Sequence, residues 1–190
     1  MTLPPLVEWD GQAKTWKKYV EDVFAIFYED FIKTQPRFHE CWVRCYQQPI
    51  HDGKEGGFWH CVTFDGENRK REKDRIPDLR RCERIRWPRF VIENRGADAI
   101  HIDYWTKIHT TARGSKNRHY LWLQEEYVVI LEESIRPGRS TVFYLITAYL
   151  TDQKHTMERF TKERADFKTA EAVPSSKDDT ASGTPCTHGA

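Results

Sequence analysis

Four stretches of β-type sequence follow one another closely between residues 100 and 150, and they constrain the fold most strongly. Each is rich in β-branched and aromatic residues, and short turn-like segments separate them. The stretches cover 100–108, 119–123, 127–131 and 141–150. Because short connections join antiparallel neighbours, they predict an antiparallel sheet of about four to five strands.

The sequence before residue 100 favours helices. Large apolar residues recur at helical spacing between residues 12 and 33, which predicts one amphipathic helix. A second helix is predicted over 77–87, where Pro88 should bend or restart it. Residues 41–47 and 58–64 favour short strands, and 49–57 favour a loop. Helices ahead of a sheet predict the α+β class.

Length and composition predict one domain with a tail. A chain of 190 residues that is 38% hydrophobic is long enough to bury a core, which we place over residues 1–165. Residues 166–190 contain few large apolar side chains, so a disordered tail is predicted there. The chain lacks a signal-peptide pattern and a run of about 18 apolar residues, so we expect a cytoplasmic protein with no membrane partner.

The cysteine and histidine spacings argue against a metal site. The five cysteines form no CxxC pair and no zinc-finger spacing, and no His-x-x-x-His pattern occurs. We therefore expect no metal and no cofactor.

Histidines are the first candidates for chemistry, because imidazole holds either protonation state near neutral pH. His60 lies beside glycines and apolar neighbours, which suits a general base. The alternative is a partly buried histidine bonded to a backbone carbonyl. His109 and His119 flank the loop around Gly114 and are candidate acids or RNA contacts, unless they are solvated loop-edge residues.

Arginines cluster in the predicted second helix. The net charge is only +1, but between residues 69 and 95 basic residues outnumber acidic ones by roughly two to one. Arg80, Arg81 and Arg84 fall on one helical face, and guanidinium groups match phosphate oxygens in a bidentate manner. The alternative is a solvated face paired with Glu83 and Asp78.

A pair of hydroxyls marks the last predicted strand. Thr147 and Tyr149 are two residues apart, so they should share a face with Leu145. Such a pair either finds internal partners or opens into a cleft. Lys107 is a candidate cation for that cleft, or a sheet-edge lysine.

These residues, within 60–149, resemble the barnase–EndoU–colicin–RelE superfamily of metal-independent RNases, in particular its phage and toxin branches. The resemblance implies helices ahead of an antiparallel sheet, and RNA cleavage through attack by the 2′-hydroxyl. It also implies a catalytic set in which His60 matches the early histidine, Arg84 the basic residue, and Thr147 and Tyr149 the final-strand pair. No second histidine aligns, so the general acid stays unassigned.

Three functions follow as hypotheses. The first is an endoribonuclease of toxin or phage origin, with RNA as substrate and an antitoxin or other protein as partner. The second is a non-enzymatic inhibitor or regulatory protein that binds a protein through Trp105, Trp122 and the arginine helix. The third is an RNA-binding domain without cleavage.

Overall fold

The structure is a computed structural model, and it describes residues 2–64, 76–112, 114–135, 138 and 140–172. Helices come first and long strands follow, so the α+β class is confirmed. The helices are α1 Trp16–Phe27, α2 Gly56–Val62, α3 Leu79–Glu83, α4 Trp87–Glu93 and α5 Lys154–Ala172. The strands are β1 Arg37–Phe38, β2 Cys41–Cys45, β3 Ile50–His51, β4 Lys54–Glu55, β5 Thr63–Phe64, β6 Ile76–Pro77, β7 Ile102–Thr111, β8 Gly114–Leu123, β9 Tyr127–Ser134 and β10 Val142–Leu150.

The N-terminal helix predicted over 12–33 is confirmed. A 3₁₀ turn precedes α1, and a π-helical segment, Tyr28–Lys33, extends it. Tyr19, Val23, Phe27 and Phe31 are buried at every fourth position. This stripe packs the helix against the sheet.

The main sheet contains six strands among the described residues, in the order β1, β2, β10, β9, β8, β7. The last four strands along the chain form the predicted antiparallel meander. β2, however, pairs with β10 in the parallel sense, with Val43 opposite Phe143. The prediction of a wholly antiparallel sheet of four to five strands is therefore wrong, because connection lengths say nothing about so distant a pairing.

The prediction of a strand over 58–64 is also wrong for most of those residues. The chain forms α2 there, and only β5 is extended. A Cβ built on Gly57 would lie 2.7 Å from the Cys45 Cβ, and the Gly57 amide donates to the Tyr46 carbonyl at 2.7 Å. The glycine therefore allows α2 to begin directly against β2, a tertiary contact that local sequence does not reveal.

The helix predicted over 77–87 forms as two shorter helices. Pro77 lies in β6 rather than in the first turn, and Asp78 caps α3 by accepting a bond from the Arg81 amide. The chain restarts as α4 with Pro88 in its first turn, as the proline predicted. Arg84 therefore lies just past the end of α3 instead of within one continuous arginine helix.

The two faces of the sheet pack against different helices. The α1 face, as we call it, packs against α1, α2 and α4 through residues that include Phe27, Phe58, Val91, Leu121 and Leu145. The α5 face packs against α5 through Trp105, Tyr120, Trp122, Val128, Ile130 and Phe160. Trp105 and Trp122 are fully buried there, so their predicted place on a protein-binding surface is wrong.

A bulge in β10 changes which residues point to which face. Leu145 lies opposite Leu131 and Thr147 lies opposite Ile130, so Ile146 is the extra residue. Tyr149 consequently packs against the α5 cluster, while Leu145 belongs to the α1 cluster. The prediction that Tyr149 shares the face of Leu145 is wrong because the bulge interrupts the alternation.

The C-terminal helix was not predicted. α5 runs from Lys154 to Ala172 and therefore crosses the predicted domain boundary at residue 165. Residues 166–172 of the predicted tail are helical, and 173–190 lie outside the described residues. In the described part of the chain, no helix is both long and apolar enough to cross a membrane.

Candidate nucleic-acid interface

The strands under α5 continue past it into a polar region. Trp105 and Tyr120 pack against the helix, and two residues further along the same strands stand Lys107 and Arg118. Alternate residues of a strand point to one face, so this polar region continues the α5 face. We call it the open sheet face: Arg37, Trp42, Arg44, Tyr46, Lys107, His109, Lys116, Arg118, Glu132 and Tyr144.

Strand register aligns half of these residues in a single row across five strands. The row reads, from one strand to the next, Lys107, Arg118, Glu132, Tyr144 and Arg44. His109 and Lys116 are paired beside it, two residues further along β7 and β8. Residues directly opposite one another project to the same side, so cations and an aromatic ring share one surface.

Aromatic rings occupy the β2 side of the open sheet face. Tyr46 stacks on Tyr144 with 4.9 Å between ring centroids and an interplanar angle of 12°. Tyr46 is 39% exposed and Trp42 is 41% exposed. The Arg37 guanidinium lies 4.0 Å from the Trp42 ring centroid. The outer surfaces of these rings are therefore available to a planar ligand.

The cations outnumber the carboxylates on this face. The charge of the Glu132 carboxylate is balanced by Arg118, with which it forms an ion pair at 3.4 Å, and it also accepts a hydrogen bond from the Tyr46 hydroxyl at 3.2 Å. Burial, reinforced by Glu132, raises the pKa of Tyr46 to about 12, so the phenol stays a donor at neutral pH. Arg44 and Lys116 make no ion pair with any described residue. Their charges are available for an anion.

A cavity of about 680 Å³ lies between one end of the open sheet face and the N-terminal helical segment, which contributes Phe31 and Ile32 to its lining. Its walls include Arg44, Tyr46, Lys116 and Tyr144. This volume falls within the range of small-ligand sites. Among the described residues, no group of three or more histidine, cysteine or acidic side chains is placed to hold a metal ion.

The predicted catalytic residues meet elsewhere, where α2, α3 and β10 join. The Thr147 hydroxyl donates to the backbone carbonyl of His60 at 3.1 Å. Arg81, rather than Arg84, lies beside this pair: it donates to the Thr63 carbonyl at 2.7 Å and lies 5.1 Å from the Tyr149 ring. The structure thus brings Thr147, Tyr149 and the backbone carbonyl of His60 together around Arg81.

The arginines at this junction are occupied by internal partners. Arg81 pairs with Asp78 at 3.2 Å, and Arg80 pairs with Asp152 at 2.5 Å. Arg84 donates to the Arg80 carbonyl at 3.0 Å and lies over Trp87. These contacts match the alternative reading of a locally paired face, and they leave little capacity for a phosphate.

The remaining residues that were predicted to contact RNA are divided between the two faces of the sheet. Lys107 and His109 belong to the open sheet face, whereas His119 is buried on the α1 face. The His119 Nδ1 and the Tyr104 hydroxyl are hydrogen-bonded at 2.9 Å. His119 is thus in a core position, and the alternative of a solvated loop-edge residue is wrong because β8 extends from Gly114 through it.

Sequence reasoning missed the aromatic half of the interface. Trp42, Arg44 and Tyr46 alternate with the buried Cys41, Val43 and Cys45 along β2. This period of two, with large polar and aromatic residues at every outward position, was the available signal. Their partner Tyr144 comes into register only through the parallel pairing of β2 with β10.

Comparisons with known proteins add no relative: no family model, no curated protein and no solved structure matches this chain. The resemblance to the metal-independent RNases accordingly stays a prediction.

Proposed function

We propose that this protein binds single-stranded RNA on the open sheet face. The proposal rests on one observation: the stack of Tyr46 on Tyr144 lies in register with Arg44, which has no ion-pair partner in the described residues. An exposed ring accepts a stacked base, and a neighbouring guanidinium pairs with the adjoining phosphate. Bases in a duplex have both surfaces covered, so the arrangement favours a single strand.

The charge of the face favours a polyanion over a protein partner. Arg37, Arg44 and Lys116 surround the rings without ion pairs in the described part of the chain. Protein interfaces are depleted of lysine at their centres, whereas nucleic-acid grooves combine basic side chains with aromatic platforms. Lys116 in the cavity wall therefore supports RNA as the ligand.

The junction around Arg81 supports a scaffolding role more than a catalytic one. A phosphate clamp needs donors that are not already committed, but Arg81 serves Asp78 and the Thr63 carbonyl. The Thr147 hydroxyl likewise serves the His60 carbonyl. We therefore propose binding as the function and treat cleavage as a separate outcome of the same experiment.

The test is fluorescence anisotropy with a labelled single-stranded RNA of about ten nucleotides, a length typical of such grooves. We expect Tyr144→Ala and Tyr46→Ala each to weaken binding by roughly tenfold or more, because each removes a stacking surface. Tyr28→Ala is the matched control: this tyrosine is 44% exposed, and it neither belongs to the open sheet face nor lines the cavity. A duplex of the same sequence should bind more weakly than the single strand.

Equal losses in Tyr144→Ala and Tyr28→Ala would refute the proposed site, as would the absence of binding by the unaltered protein. The same RNA, incubated without divalent ions, reports on cleavage. Fragments with cyclic phosphate ends that disappear in His60→Ala would assign an RNase activity to the junction around Arg81, in addition to binding.

A further inference from the structure

α5 is held on the sheet by two apolar side chains, the buried Phe160 and the partly buried Phe167, and by several ion pairs. Thr156 and Phe160 are its buried side chains in the part of the helix whose side chains are described, and most of the others are exposed. Arg164 pairs with the buried Asp103 and, at 2.9 Å, with Glu125. Ion pairs therefore contribute to the attachment beside the apolar packing.

One of these ion pairs reaches the open sheet face. The Glu163 carboxylate pairs with the Lys107 ammonium at 2.5 Å and accepts from the Trp105 indole at 3.4 Å. Lys107 begins the row that continues through Arg118 to Tyr144. The helix thus places a carboxylate against a cation that would otherwise face an RNA phosphate.

The sheet surface beneath α5 carries stacked aromatic rings, as the open sheet face does. Trp105 stacks on Tyr120 with centroids 5.0 Å apart and an angle of 6°. Trp122 adjoins them, and all three pack against Phe160. Tyr120 lies opposite Ile130, two residues along each strand from the Arg118–Glu132 pair. An aromatic platform under the helix therefore continues the exposed one.

We propose that α5 is an internal competitor of RNA, a helix that a long RNA strand displaces in order to extend from the open sheet face onto Trp105 and Tyr120. This inference rests on the proposed function, because it concerns regulation of the same face. A short strand binds beside α5 and leaves it docked. A longer strand carries a phosphate to Lys107 and competes directly with Glu163.

The first test compares two substitutions in the same helix. Glu163→Gln frees Lys107 and should raise the affinity for an RNA of about twelve nucleotides by roughly tenfold, since it removes a competing charge at the site. Glu158→Gln is the matched control, because that carboxylate is 66% exposed and pairs with Lys154 on the outer side of the helix. It should leave the affinity unchanged.

The second test is hydrogen exchange of the α5 amides with and without RNA. Saturation with the long strand should accelerate exchange along Lys154–Ala172, whereas a strand of about five nucleotides should not. Unchanged or slower exchange with the long strand would overturn the inference while binding through Tyr144 still stands. Failure of both the unaltered protein and Glu163→Gln to bind any RNA would overturn the proposed function as well.

Discussion

His119 shows how a single residue with catalytic potential is committed to stability. Its ring is packed between Phe38, Phe143 and Tyr104. Burial lowers the pKa of His119, and the nearby Glu133 carboxylate acts in the opposite direction. Burial also lowers the pKa of its neighbour His39. Both rings therefore bind protons less readily in the folded protein than in the unfolded chain.

This difference predicts that stability falls on mild acidification. A histidine whose pKa is lowered by folding contributes its full stabilisation above the unfolded value of about 6.5 and loses it as the pH falls through the lowered value. We expect the free energy of unfolding, measured in urea, to decrease from about pH 7.5 to about pH 5.5. In His119→Gln, the free energy of unfolding should fall less over this pH range, since the substitution removes the more buried of the two titrating rings.

The control is His155→Gln, because His155 is exposed on α5. That variant should retain the full pH dependence. An unaltered pH profile in His119→Gln would show instead that other groups cause the acid sensitivity.

At the scale of elements, the close contact between α2 and β2 requires that Gly57 has no Cβ atom. Gly57→Ala would force a Cβ to within 2.7 Å of the Cys45 Cβ and 3.0 Å of the Tyr46 backbone. We expect the free energy of unfolding to fall by about 1 to 3 kcal/mol, as for overpacked cores. Because Tyr46 is part of the open sheet face, RNA affinity should fall with it.

The matched control is Gly11→Ala, where no atom lies within 4 Å of the added Cβ but φ is +76°. It isolates backbone strain, which we expect to cost about 1 kcal/mol without a change in RNA affinity. A smaller loss in Gly57→Ala than in Gly11→Ala would mean that α2 moves away from β2 without penalty.

The junction between α2, α3 and β10 gives a second prediction at this scale. Arg81→Met should lower the free energy of unfolding by about 2 to 3 kcal/mol, because it removes partly buried, charge-assisted bonds. Arg80→Met should cost less than about 0.5 kcal/mol, since its ion pair with Asp152 is exposed. Similar losses from both, measured by urea unfolding, would contradict the scaffolding role assigned to Arg81.

Secondary-structure elements that follow from a local sequence pattern were predictable, and elements that depend on contacts with distant residues were not. The buried stripe of α1 and the four strands of the meander follow from the periodicity of their apolar residues. The helical period repeats over at least two turns of α1, and the strand period repeats over several residues of each strand. α2 was missed because its aromatic and β-branched residues resemble a strand. α5 was missed because Phe160 is nearly its only buried apolar anchor, so the helix has little amphipathic pattern.

The same distinction applies to the candidate site. Lys107 and His109 were proposed from the sequence and lie on the open sheet face: Lys107 falls within the strand predicted over 100–108, and β7 continues beyond that strand through His109. Tyr46 and Tyr144 were not proposed, because almost one hundred residues separate them, and only the parallel pairing of β2 with β10 brings Tyr144 opposite Arg44 and within stacking distance of Tyr46. Arg84 was proposed as a clamp on the assumption of one continuous helix, which the break before α4 removes.

At the scale of the whole molecule, the distribution of charge matters more than its sum. The net charge is +1, so long-range attraction to a polyanion is weak. Many arginines are paired internally, as Arg81 and Arg89 are. Under the proposed function, the cations of the open sheet face that lack ion pairs in the described residues would therefore supply most of the local field at a bound RNA strand.

This distribution predicts a modest and localised salt dependence. If Arg37, Arg44 and Lys116 each neutralise a phosphate, a plot of the logarithm of the association constant against that of salt concentration should have a slope of about −2, since each contact on a single strand contributes about −0.7. Arg44→Ala should reduce the slope to about −1.4, because one released counterion is lost. Arg80→Ala should leave it unchanged, as Arg80 is already paired with Asp152 although it is 56% exposed. Equal reductions in the two variants would place the RNA on the arginines of α3 rather than on the sheet.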